Sequence, residues 1–167
     1  MSRRMRMPIL AAIALGLSLG LSGQAVAQRQ SLGIFQLWGA FQESGRCHAI
    51  AEPYRAPRAE SWRPFASVGY WPGRGVRSQV HFRLSRMKRP GSAVLLRIDE
   101  RTFQLLAGGN NAWAADRRGD AEIVSAMRTG IEMSVETRSD RGALVRDAYR
   151  LRGAATAIDA AAIACAR

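Results

Sequence analysis

A chain of 167 residues supplies enough polypeptide for one domain with a real core. Its 25 lysines and arginines outweigh 13 acids, for a formal charge of +12, and Lys88 is the only lysine. Two histidines, two cysteines and scattered acids exclude a zinc set at ligand spacing and a calcium loop, so no metal or cofactor is expected.

The chain opens with Arg3, Arg4 and Arg6, continues through the apolar run Ile9 to Leu17, and reaches the small residues Ala25-Val26-Ala27. A basic head, a short apolar stretch and a small-x-small site predict an export signal cleaved after Ala27. The competing reading is an uncleaved anchor. Ser18, Gly20 and Ser22 interrupt the stretch, and it is short for a span of about 20 residues. Residues 28–167 then form a single domain of charge +9, and no later segment is apolar enough to cross a membrane.

Cys47 and Cys165 are the only cysteines. In an oxidising exported compartment they predict one disulfide. A single reactive thiol is the alternative, without a Cys-x-x-Cys pair to favour it. Cys47 to Ala51 and Phe65 to Trp71 are weaker strand candidates, separated by a loop at 52–58 marked by Pro53 and Pro57.

Beyond them the dominant period is two. Val80, Phe82 and Leu84 alternate with Gln79, His81 and Arg83. Val94, Leu96 and Ile98 form the next apolar row, and Phe103 and Leu105 follow a tight connection at 99–101. Gly108 to Asn111 predicts a loop. Ile131, Met133 and Val135 form another row, and Val145, Tyr149 and Leu151 the last, with a turn at Ser139 to Gly142 between them. Two segments have helical spacing. Asp120 to Thr129 predicts a short helix with Asp120 as N-cap and Gly130 as stop. Ala154 to Ala164 is alanine-rich, with Thr156 and Asp159 as a capping pair and Ile158, Ala161, Ala162 and Cys165 in one stripe. The predicted fold is mainly β: an antiparallel, sandwich-like single domain with two short helices, the last one C-terminal.

No catalytic constellation stands out, and the expectation is a protein that is not an enzyme. His48 and His81 are read as exposed strand histidines, with His48 and Cys47 on opposite faces. The rival reading is a periplasmic hydrolase with an unrecognised site, for which Ser85, His81 and Asp99 are the residues to suspect. Trp38, Phe41, Trp62, Tyr70, Trp71 and Trp113 gather mainly in the first half among arginines, as a core or as a binding face. The candidate binding surface comprises Trp71, Arg74, Arg77 and Arg83, with Arg146, Arg150 and Arg152 as a second patch. Its expected partner is an envelope protein or an anionic envelope component, lipopolysaccharide or phospholipid. Charge alone suggests nucleic acid, which is not expected as a partner.

Five stretches also carry a family resemblance. They are Trp38 to Phe41, Arg46 to Ala51, Val94 to Asp99, Asp120 to Arg128, and Tyr149 to Ile158. In that order they resemble the invasion-associated locus B family of exported alphaproteobacterial proteins. The resemblance covers most of residues 28–167. It implies a periplasmic or outer-membrane-associated β-sandwich linked in some pathogens to host-cell invasion, without an agreed catalytic activity. Only Cys47 and Cys165 carry over, as a disulfide. Many members have a further cysteine pair near the region that here reads Leu106 to Asn111, where this chain has none.

Overall fold

The structure, a computed structural model, describes residues 29–58 and 61–166. The predicted export signal and cleavage point lie outside the described residues.

Ten strands among them form one antiparallel sheet. They are β1 (Gln30–Phe35), β2 (Trp38–Glu43), β3 (Arg46–Ala51), β4 (Phe65–Trp71), β5 (Val76–Arg83), β6 (Val94–Ile98), β7 (Arg101–Gly108), β8 (Asn111–Trp113), β9 (Glu132–Arg138) and β10 (Leu144–Arg150). The order across the sheet is β1-β2-β3-β4-β5-β8-β7-β6-β9-β10. The sheet curls so that β5 and β10 face each other, with the rings of Phe82 and Tyr149 6.4 Å apart. This is the sandwich-like, mainly β architecture that the alternation predicts.

The inward rows are the expected ones. Val80, Phe82, Leu84, Val94, Leu96, Ile98, Met133, Val135, Val145 and Tyr149 are all buried. Each fully buried aliphatic or aromatic side chain stabilises the fold by roughly 1.5–3 kcal/mol. Ile131 departs from its predicted row: it precedes β9 and is 80% exposed. Its backbone amide donates to the Asp99 carboxylate instead of joining a ladder.

Helix α1 (Arg117–Thr129) starts earlier than predicted. Asp116, not Asp120, is the N-cap, accepting from Gly119 N at 2.7 Å. Asp120 is committed elsewhere. The short strand β8 pairs with β5 only from His81 to Arg83, and Asp120 Oδ1 accepts the Val80 amide at 2.8 Å. Helix α2 (Ala154–Ala164) has the predicted bounds. Gly153 is its N-cap and no side chain caps it, so the predicted Thr156–Asp159 capping pair is not formed. Asp159 instead bridges to Arg128 Nη1 at 2.6 Å, joining the two helices. Ala154, Ala157, Ile158 and Ala161 make the buried stripe, and α2 packs against β1, β2 and β3. Alanine suits this position, because a helix of small residues lies close to the sheet.

Cys165 follows the last turn of α2 and is bonded to Cys47, the first core residue of β3, with a Cα–Cα distance of 5.8 Å. The reactive-thiol reading is thereby displaced, since no described cysteine is free.

Candidate functional site

The two ends of the curled sheet are tied together, and the tie creates a site. The loop after β3 reaches across to β10. Tyr54 N donates to Ala148 O at 2.9 Å, and Ala148 N donates to Arg55 O at 2.7 Å. Trp38, wholly buried in β2, donates its indole N–H to Arg150 O at 3.0 Å. Gly153 passes directly over Phe35. These contacts carry the Arg150 side chain from the last strand to the outer face of the first four.

On that outer face the register places Ile34, Gly39, Ile50, Ser67, His81 and Trp113 in one cross-strand row. Gly39 has no side chain, and the Phe41 ring and Ile34 close over it. A Cβ at this position would lie 2.7 Å from the Phe41 ring and 3.1 Å from Ile34. Together these side chains line a trough of about 660 Å³. That volume falls in the usual range for small-molecule sites. Its floor and walls are Ile34, Gly39, Phe41, Ile50 and Phe65, and Leu37 forms a lip. Ile34 is 68% exposed and Leu37 53%, large apolar surfaces that open into the trough.

The rim is polar and mostly cationic: Arg29, Arg63 and Arg150, with Tyr54 and the single acid Glu52. Arg29 lies over the Phe41 ring at 3.9 Å and pairs with Glu43 at 3.6 Å. Arg63 pairs with Glu52 at 3.2 Å, both side chains well exposed, so the pair is worth little. Arg150 stacks on the Tyr54 ring at 4.9 Å and makes no ion pair among the described residues. Its ladder neighbour Glu132 accepts the Tyr54 hydroxyl at 2.6 Å, which pushes that phenol's pKa up. The rim therefore presents one guanidinium held in place by an aromatic ring, with its donors still free for an anion.

Of the seven residues predicted as a binding surface, only Arg150 lines this trough. Trp71 folds over Gly69 on the same sheet face. Arg74 lies in the turn Pro72–Arg74 and Arg77 at the start of β5, whereas Arg83 is at the far end of that strand, about 20 Å away. Arg146 pairs with Glu136 at 3.3 Å, and Arg152 lies beyond β10. The aromatics divide between core and surface. Trp38 and Tyr70 are buried, while Phe41, Trp71 and Trp113 lie on the outer face. Trp62 donates its indole N–H to Leu84 O at 2.7 Å. The sequence places Arg63 among the arginines interleaved with aromatics but does not single out Arg29, Tyr54, Ile50 or Phe65, although Ile50 puts an apolar residue on the outer face of its strand.

The two histidines are half-buried rather than exposed. His48 packs on Phe41 with ring centroids 5.8 Å apart, and His81 meets Phe65 at 5.3 Å. Burial pulls both imidazoles below their ordinary pKa. His81 Nε2 lies 3.0 Å from Asn111 Oδ1. The other residues suspected of catalysis serve separate structural ends. Asp99 holds the backbone amides of Ile131 and Glu132. Ser85 is fully buried, and both its amide and its hydroxyl donate to Asp147. Asp147 is itself fully buried in the inward row of β10.

Burial pushes the Asp147 carboxyl above its usual range, while the two bonds from Ser85 pull it back down. A carboxyl raised in the folded state favours folding when protonated. Its contribution is complete below the ordinary carboxylate pKa and is lost as pH rises through the folded value. The wild type should therefore gain stability relative to Asp147→Asn on acidification. Urea midpoints of both proteins at neutral and acidic pH check this, and a constant difference between them would contradict it.

Fold and trough together define a mainly antiparallel β protein with an apolar, cation-rimmed surface site. Comparison with protein-family models, with curated proteins and with solved structures gave no match. Among the described residues, no helix is long and apolar enough to cross a membrane.

Proposed function

We propose that this chain is an exported envelope protein of the invasion-associated locus B type, which acts by binding an anionic envelope component. The observation that carries this reading is the trough between β1 and β4, where an apolar floor meets arginines with a net positive rim. The leader at 1–27 and the Cys47–Cys165 disulfide support export to an oxidising compartment. The charge of +9 on residues 28–167 steers anionic material toward the protein, and the trough supplies a contact that salt does not screen.

The test is retention of envelope extract on immobilised oxidised protein at low and high salt. Wild type should hold an anionic fraction at low salt and keep part of it at high salt. Arg150→Glu together with Ile50→Asp should lose the salt-resistant part. Equal retention by wild type and variant, or recovery of the protein from the cytoplasm, would overturn the proposal.

A further inference from the structure

We propose that the trough takes one acyl chain of a phosphate-bearing envelope lipid, with Arg150 holding the phosphate; this rests on the binding role proposed above. The shape argues for a chain. Ile34, Gly39 and Ile50 succeed one another across three neighbouring strands, and Phe41 and Phe65 complete the apolar lining. Strands lie about 4.8 Å apart, so the row offers an extended apolar path of roughly 10 Å rather than a round cavity. The position of the charge argues for an amphiphile. Arg29, Arg63 and Arg150 line the same trough as the apolar residues, so one ligand can touch both. A planar guanidinium donates two parallel hydrogen bonds to a phosphate, and the Tyr54 ring, 4.9 Å away, holds this one beside the trough. Of the three rim arginines, Arg29 and Arg63 already have carboxylate partners, Glu43 and Glu52. Arg150 would be the primary contact, and Arg63 would join it by releasing its exposed partner.

The experiment is calorimetric titration of the oxidised protein with monomeric alkyl phosphates of increasing chain length, followed by binding to vesicles of phosphatidylglycerol in phosphatidylcholine. Affinity should rise about threefold per added methylene until the trough is filled. Arg150→Gln should weaken the alkyl phosphates about tenfold at every length. Ile50→Asp should abolish the length dependence; Ile50→Ala, a milder change on the half-buried outer face, should flatten it and guards against a folding failure. Inorganic phosphate alone should bind weakly and compete poorly. Vesicle binding should follow the same variants.

Affinity that is independent of chain length, or equal competition by inorganic phosphate, would overturn the proposal. So would an unchanged affinity in Arg150→Gln, or self-association of the protein in place of ligand binding. If the alkyl phosphates and vesicles fail while salt-resistant retention of envelope material persists, the binding role stands and the lipid assignment falls. Failure of both removes the two together.

Discussion

Replacing Cys47 and Cys165 together with alanine is expected to lower the stability of the fold by about 4–5 kcal/mol. The bond spans 118 residues, nearly the whole described chain, so its absence releases a very large unfolded loop. In the chain-entropy account the effect grows with the logarithm of loop length, which places this bond near the upper end of the normal range. The contribution acts through the unfolded state, but the folded molecule also feels the loss. Cys165 fastens the end of α2 to β3, and α2 covers the inner face of β1 to β3. Urea unfolding of the oxidised wild type, the reduced wild type and the double alanine variant measures the effect. Reduced wild type and variant should agree closely, and both should unfold at much lower urea than the oxidised protein. A difference below about 1 kcal/mol would contradict the assignment of the bond as the main covalent constraint on the fold.

The second large effect is expected at Gly153. This residue has φ of +90°, in the left-handed region, where a side chain is strained. Space is the stronger constraint. A Cβ there would lie 1.8 Å from the Phe35 carbonyl oxygen and 2.7 Å from its carbon, both backbone atoms that cannot rotate away. Gly153→Ala must therefore separate the turn after β10 from the end of β1. The combined strain and overpacking should cost roughly 3–5 kcal/mol. The same movement pulls Arg150 away from Trp38, whose indole holds its carbonyl, and so displaces the cation from the trough. Thermal unfolding reads the first consequence and ligand affinity the second. A variant with wild-type midpoint would show that the two ends of the sheet do not meet as described.

Much of the fold is legible in the chain where a strand has one wet and one dry face. Val80, Phe82 and Leu84 against Gln79, His81 and Arg83 is such a case, and β5 forms there. The strands β1 and β2 are not legible in this way. Gly33 and Gly39 interrupt them, and the outer face of β2 is itself apolar, so alternation fails as a signal. Asp120 is a residue type suited to a cap and is expected to start α1, whereas Asp116 caps it. The choice depends on the Val80 amide, 40 residues away, which claims Asp120. Asp147 could not be found as a core residue from the pattern, since buried carboxylates run against composition. Its acceptance of two bonds from Ser85 makes it tolerable there.

The trough was the least legible feature. Its row is assembled by the register of β1, β2 and β3, and its cation arrives from β10 through contacts spanning more than 90 positions. The arginines were visible as a charge excess, but the sequence could not show which of them would meet an apolar floor. Arg77 and Arg83 share a strand yet lie at opposite ends of it, whereas Arg29, Arg63 and Arg150 are far apart in the chain and line one site.

The central claim is that this trough, rather than the general basic surface, is where the envelope ligand binds. Backbone amide shifts of the isotopically labelled, oxidised protein, followed while the anionic envelope fraction is added, test it most directly. The account predicts the largest changes at Gly39, Phe41, Ile50, Phe65 and Arg150, retained at high salt. Changes centred on Arg74 and Arg77 that vanish with salt would contradict it.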